Sequence, residues 1–475
     1  MPTVDIPFPL SSAPGRSPGE GAGRLINCYA EALGPEAISP AVRRRVAGLT
    51  AFSSPGGAVA ACRGFLEVNG LLYAVIGRTM YAIASDGGFT IVGVVAGTKK
   101  VFMARNNKKP NPDKVLVTEN GAFSFDTTIV AFADPNLPVP CGVCFQDGFF
   151  FFPVGDGRCF ATGVNDVTVN ALTFSTAESK PDGLVTAIPF NNQLLLFGSY
   201  SLEFWSNTSN AFPAFPYTRS AAVSRGLVAS TAIAGHQDGF GGSALIWVAD
   251  DNTVVKLDGY TPVKISAPDL DNLIELVADK TTLEACVYIA GGHPKWVLSS
   301  NDWTWEFDLN TQKWNERASY GLARWRASQA VYAFGKWLAG DTQTGSIFQI
   351  DAAQQKEGTN ALIYRLESGP AQNFPNRTRV ARADFDLASG VGDATGATVP
   401  ETDPVAEVSW SDDGGATWSL PVQRPLGQQG RYRQRITVTG SGSSGPRGRR
   451  WRIVISDPAY AAITLGRQST ELRDH

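Results

Sequence analysis

Histidine is nearly absent from this chain: only His236, His293 and His475 occur in 475 residues. Imidazole general-base chemistry therefore has few candidates. His236 follows Gly235 and His293 follows Gly292, positions that read as turns. Cysteine is sparse too. Six thiols (Cys28, Cys62, Cys141, Cys144, Cys159 and Cys286) are too dilute for a disulfide scaffold. Cys141-Gly142-Val143-Cys144 is a lone C-x-x-C. A zinc site needs four ligands, usually a second pair or added histidines, so these cysteines read as structural.

No apolar run approaches the ~18 residues of a membrane helix, so no membrane span is expected. The opening Met1-Pro2-Thr3-Val4-Asp5 lacks the basic and apolar segments of a signal peptide. No phosphate-cradling Walker loop, nucleophile elbow, zinc-protease H-E-x-x-H or dinucleotide glycine fingerprint is present. Adjacent acids, Asp250-Asp251 and Asp412-Asp413, sit in turns and read as solvated pairs rather than a glycosidase couple. No enzyme activity and no cofactor are expected. Charge of one sign is also missing: 41 basic against 44 acidic residues give −3, which excludes a chain-wide polycation but not a local basic patch.

What is abundant is turn and aromatic chemistry, with 49 glycines, 29 prolines, 26 phenylalanines and 11 tryptophans. One plan recurs from Arg63 onward: a turn pair, an apolar run of four to six residues, a short break and a second run. Asn69-Gly70 precedes Leu71–Ile76 and then Met80–Ile83. Asn120-Gly121 stands between Lys114–Val117 and Ala122–Phe125. Asp147-Gly148 leads into Phe149–Phe152, and Asn191-Asn192 into Leu194–Phe197 and Leu202–Trp205. Similar hairpins follow at 244–257, 296–307 and 334–350. Such runs punctuated by Gly, Asn and Ser read as antiparallel strands. A spacing of about 30–55 residues suits four-stranded propeller blades stacked around an axis, and the count is six or seven. The one helical segment expected is Asp269–Val277, capped by Asp269 or Asp271.

Flanking regions differ. Residues 1–60 are broken by Pro7, Pro9, Pro14, Pro18, Pro35 and Pro40 and read as an extended arm. Residues 61–372 are the propeller. Residues 373–475 form a smaller all-β unit, which could instead supply a strand to close the propeller, with strands expected at 406–410, 433–439, 450–456 and 462–465. This last unit holds Ser411-Asp412-Asp413-Gly414-Gly415-Ala416-Thr417-Trp418, an Asp-box. Ser411, Asp413, Gly415, Thr417 and Trp418 staple such a hairpin locally. The motif occurs in sialidases but is structural even there, which leaves a carbohydrate-active or carbohydrate-binding propeller, sialidase-like or lectin, as the alternative reading. A generic propeller interaction module is a third.

Lysine is scarce relative to arginine in the C-terminal third, and no acid lies between Asp413 and Asp457. Arg431, Arg433 and Arg435 would share one strand face, as would Arg450 and Arg452. Together with Arg43, Arg44 and Arg45 they are the interface candidates, for an acidic partner surface or, less readily, phosphate.

The stretch FGSYSLEFWSNTSNAFPAFPY (197–217) followed by SRGLVASTAIAG (224–235) resembles the middle of the tail hub, or nozzle, proteins of short-tailed phages, also called packaged-DNA stabilisation proteins. Arg24–Tyr29 resembles that family's opening, and Trp451–Ile455 with Ile463–Gly466 its closing strand pair. The resemblance is colinear and implies six blades. It implies a homohexameric ring in the tail channel beneath the portal and its adaptor, with the tail needle or plug at the far end and a tailspike or fibre as a further neighbour. Packaged DNA would pass through the lumen without sequence-specific contact. The expected location is the virion, after synthesis in the host cytoplasm.

Overall fold

The computed structural model describes residues 3–473 apart from 18, 58–59, 133–135, 211, 242–243 and 394–400. His475 lies outside the described residues; the Gly-, Thr- and Ala-rich segment 389–402 reads as a loop in the sequence, and its residues 394–400 lie outside them too.

The recurring unit starts from its turn. Strand Cys62–Val68 ends at Asn69 and Gly70, whose φ angles are 51° and 77°, and the chain returns as Leu71–Ile76. Two residues at positive φ make the primed turn whose twist matches an antiparallel pair. The same device stands at Asp147-Gly148, Asn191-Asn192, Gly291-Gly292 and Phe334-Gly335, each time between the first and second strands of a sheet. The second strands are buried along nearly their whole length. Phe149–Pro153 is buried at every residue, and Leu194 to Phe197 are all at most 1% exposed. A strand covered on both faces by neighbouring sheets has to be apolar throughout, which explains the unalternating FFFF and LLLF runs.

Six antiparallel four-stranded blades are contiguous in the chain, over residues 62–94, 102–131, 144–176, 184–223, 233–264 and 284–317. The six blades implied by the resemblance are these. A composite sheet closes the ring. It takes Ala327–Ala333, Lys336–Asp341 and Ile347–Asp351 from the end of the propeller, and Gly48–Ser53 from the N-terminal region pairs antiparallel with the last of them. Its first strand packs against the first strands of both the 284–317 and the 62–94 blades. The closing strand therefore comes from the N-terminal side and not from residues 373–475.

The remaining strands build a β-sandwich. One sheet runs Cys28–Ala32, Ala41–Arg45, Ala462–Arg473, Arg377–Leu387, Ile436–Thr439, with Thr3–Asp5 and Ser443–Ser444 at its margins. The other contains Arg24–Ile26, Tyr364–Glu367, Arg450–Ile455, Val405–Ser411 and Val422–Pro425. Between them lies a core that includes Phe8, Leu25, Tyr364, Phe385 and Trp451, with the Phe385 and Trp451 rings 5.4 Å apart across the sheets. The second sheet does not stop at the sandwich: Ile26 pairs in parallel with Glu316 on the outer strand of the 284–317 blade, so one nine-stranded sheet runs through both units.

Three expectations are corrected here. Residues 1–60 are not an arm separate from the rest of the chain; their strands pair with 313–317, 347–351, 364–367 and 462–473 of the same chain. Proline breaks these segments into short strands, and pairing with longer ones supplies the core they lack. The division at 60 and 372 accordingly becomes a propeller over 48–351 and a sandwich made from both ends. The helix is Pro268–Leu276, with Ala267 at its N-cap and no side-chain cap. Pro268 sets the first helical φ, and the Asp271 carboxylate is taken by Ser266 and Lys264 instead.

Candidate assembly surface

The eight interface candidates separate by burial. Arg43 and Arg45 are 6% and 7% exposed. The Arg43 guanidinium donates to the carbonyls of Phe8, Pro9, Ala41 and Thr464, and that of Arg45 to Ile455, Asp457 and Ala459. Both tie the N-terminal hairpin to the C-terminal strands, and burial lowers both pKa values, Arg45 to about 10. Arg44 reaches Glu31 and the Tyr460 hydroxyl. Arg450 is buried and donates to the Gly21 carbonyl. Arg452 pairs with Glu367 at 2.9 Å and lies 3.7 Å over the Trp418 ring. Arg43, Arg45 and Arg450 are internal staples rather than free surface, and Arg44 and Arg452 are committed to contacts within the chain while staying partly exposed.

Arg431, Arg433 and Arg435 are exposed. They do not share a strand: the strand begins at Ile436, and the residues before it form a turn held by Arg431 N–H to the Gln428 carbonyl and Ser389 Oγ to the Tyr432 carbonyl. Gly427 and Gly430, at φ 88° and 96°, bend the chain there. Tyr432 stands 67% exposed between two of the arginines. Asp384 lies within electrostatic reach of Arg435 and already grips Arg382 at 2.7 Å.

The Asp-box folds as its residue types dictate. Ser411 Oγ donates to Asp413 and accepts the Gly415 N–H; Asp413 accepts the Thr417 N–H at 2.9 Å and its hydroxyl at 2.5 Å; Trp418 Nε1 donates to the Gly415 carbonyl. These bonds hold the Asp413 carboxyl well below the usual range. Its neighbour Asp412 receives a two-pronged contact from the fully buried Arg449, both distances 2.8 Å. The polar atoms are spent on the turn itself.

The stretch that carries the resemblance is likewise structural. Glu203 is fully buried and accepts the Ser179 N–H, Trp205 Nε1 and Arg219. Asp182 accepts the Tyr200 N–H and the Ser201 hydroxyl. Arg225 bridges Asp250 and Asp251, and the Gly226 N–H donates to Asp250 at 3.0 Å. A Cβ at Gly226 would stand 2.1 Å from the Ser199 carbonyl oxygen, so no other residue fits that corner. The paired acids 250–251 thus serve a loop clamp.

Sequence reasoning missed the network that joins the 284–317 blade to the closing sheet, where Glu357 pairs with Leu49. Arg317 is fully buried. It reaches Glu306 and the Tyr288 hydroxyl at 3.1 Å, Glu357 at 3.3 Å and the Ala47 carbonyl at 3.0 Å, and it lies 3.9 Å over the Trp325 ring. Trp325 Nε1 donates to Glu357, and Asn315 to Glu306. Beside it, Lys295 and His293 share Asp308, each at 2.8 Å. The isolated signal was a basic residue inside the aromatic run Trp314 to Trp325.

The thiols are free, and burial raises their pKa values, those of Cys62, Cys141 and Cys286 to about 12. Cys141 Sγ donates to the Pro153 carbonyl at 3.2 Å. Among the described residues no group of histidine, cysteine and acids is placed to hold a metal ion, and no helix is long and apolar enough to cross a membrane.

Several solved structures are similar to this chain. They include the WD40 domain of Doa1 (11% identity, 64% of this chain and 96% of that one, TM-score 0.40). A computationally designed protein, Ika8, gives 10%, 63%, 99% and 0.37. A catalytically inactive virginiamycin B lyase from Staphylococcus aureus, solved with quinupristin, gives 11%, 62%, 96% and 0.42. No curated protein matches. The family described as "Bacteriophage P22 Gp10, beta-propeller" matches residues 25–355. That span takes in the closing strand Gly48–Ser53 and every blade, well over half of the chain. The chain therefore belongs to this phage stabilisation family, whose members are structural rather than catalytic proteins.

Proposed function

We propose that this structural phage tail protein forms a ring of identical copies, six as in the resembled hub proteins, below the portal and adaptor. There it retains packaged DNA and seats the tail needle or plug, with a tailspike or fibre as a further neighbour and DNA passing through the lumen unread. The observation that carries the reading is the loop Arg431–Arg435. Three exposed arginines and an exposed tyrosine stand on the sandwich with no acid between Asp413 and Asp457. Arginine and tyrosine are the side chains most often found at interface hot spots, and an acid-free cluster favours an acidic partner surface. The carbohydrate reading loses its support, since the Asp-box spends its side chains on its own turn.

The test is reversal of Arg431, Arg433 and Arg435 to Glu in the phage. All three side chains are exposed, so the chain should fold. Full heads that leak DNA or lack tails are expected. Infectious particles with normal copy number of the variant would overturn the assignment.

A further inference from the structure

A cleft of about 280 Å³ opens where the 284–317 blade meets the sandwich, walled by Tyr29, Arg44, Arg45, Tyr288, Lys295 and Tyr460 among others. Three cations converge on it, and two of them are matched. Arg44 holds Glu31, the carboxylate of the cleft wall. Lys295, 3% exposed, is paired with Asp308 and sits 4.1 Å over the Tyr29 ring. Arg45 is different. It is 7% exposed, its terminal nitrogens meet only backbone carbonyls, the charge of Asp457 is felt without an ion pair, and its buried Nε has no hydrogen-bond partner among the described residues. A buried guanidinium without a paired carboxylate is costly, and an unmade hydrogen bond from it adds to that cost. Here that group borders a space large enough for a small molecule and walled by tyrosines, the mix of aromatic surface and few polar anchors that ligand clefts use.

We propose that this junction cleft binds a small oxyanion, a phosphate or a carboxylate, through Arg45 with Arg44 and Lys295 in support. The tyrosine rings flank the rest of the ligand. Its occupant would supply a carboxylate or phosphate in direct contact, where Asp457 gives Arg45 only a charge nearby, and would bridge the N-terminal hairpin, the blade and the C-terminal strands.

Calorimetric titration of the full chain with inorganic phosphate, and separately with acetate, at constant ionic strength set by chloride, tests this. Saturable 1:1 binding of at least one is expected, and the preferred probe tells a phosphate ligand from a carboxylate one. Arg45→Gln should weaken it by about tenfold or more. Because Arg45 also braces three carbonyls, a second variant is needed: Ala352→Trp, at an exposed turn position on the cleft wall, fills the space and leaves every charge in place. It should abolish binding. If neither anion saturates, or if Ala352→Trp binds like the parent chain, the cleft is not an anion site.

Discussion

At the scale of single residues, the sequence shows which side chains are polar but not which of them are buried. Arg317 looks like any surface arginine in the sequence, yet it is the hub of a water-excluded network. Removing one partner of such a pair strands the other, so Arg317→Met should cost about 3–5 kcal/mol in denaturant unfolding. A midpoint within error of the parent would show that the network is dispensable. Trp418 teaches the converse. Read as a buried ring it would cost about 3–5 kcal/mol on truncation to alanine, but it is half-buried against Arg452. About 1–2 kcal/mol is now expected, from lost packing and the cation–ring contact. His236 gives a pH dependence. Burial lowers its folded pKa to about 4, below the unfolded value near 6.5. The unfolded chain therefore binds the proton more readily, and stability from this group is intact above about pH 6.5 and falls as pH drops towards 4, by up to roughly 3 kcal/mol. His236→Gln should flatten that part of a stability–pH curve; an unchanged slope would place the titration elsewhere.

At the scale of elements, the hairpins were legible because their turn pairs and apolar runs are local signals. Asn69-Gly70 and Asp147-Gly148 specify a primed turn without help from the fold, and FFFF can be nothing but a strand buried on both faces. Arg377–Leu387 was missed although it alternates Thr378, Val380, Ala383, Phe385 and Leu387 inward. The change of composition near residue 372 made the segment look like a boundary. The arginine strand expected at 433 starts three residues later, since Gly427 and Gly430 turn the chain before it. Closure by Gly48–Ser53 could not be read at all, because pairing across some three hundred residues leaves no mark in either partner. Its weight is testable. Leu49 is fully buried within the strand, so Leu49→Ala should lower stability by about 2–5 kcal/mol. A loss under about 0.5 kcal/mol would mean that the ring holds without this strand.

At the scale of the whole molecule, two units share one sheet, so propeller and sandwich should move as a single body. Neither half of the pairing Ile26–Glu316 can shift without breaking the ladder. Charge is divided between them: acids outnumber bases in the propeller, while bases outnumber acids in the sandwich, where after Lys356 every basic residue is arginine. Contacts made through the exposed arginine loop would be screened by added salt. Assembly of the purified chain, followed by light scattering, should therefore weaken between about 0.05 and 0.5 M salt, with Debye lengths falling from roughly 14 to 4 Å. Assembly that strengthens with salt would point to an apolar interface instead.

The strand that closes the ring leaves the ribosome before any of the six contiguous blades and meets its partner only after all of them. Gly48–Ser53 pairs with Ile347–Asp351, and Thr3–Asp5 with residues 467–469. At about 5–20 residues per second, the early strands wait roughly 15–60 s or longer for their partners. During that interval the 62–94 blade has no neighbour on its leading side, and the apolar first strands have no sheet to join. Unpaired strands of this kind invite the wrong partner, including the same strand on another nascent chain. Synthesis rate and the crowding of nascent chains, rather than final stability, would then set the yield of this protein in an infected cell.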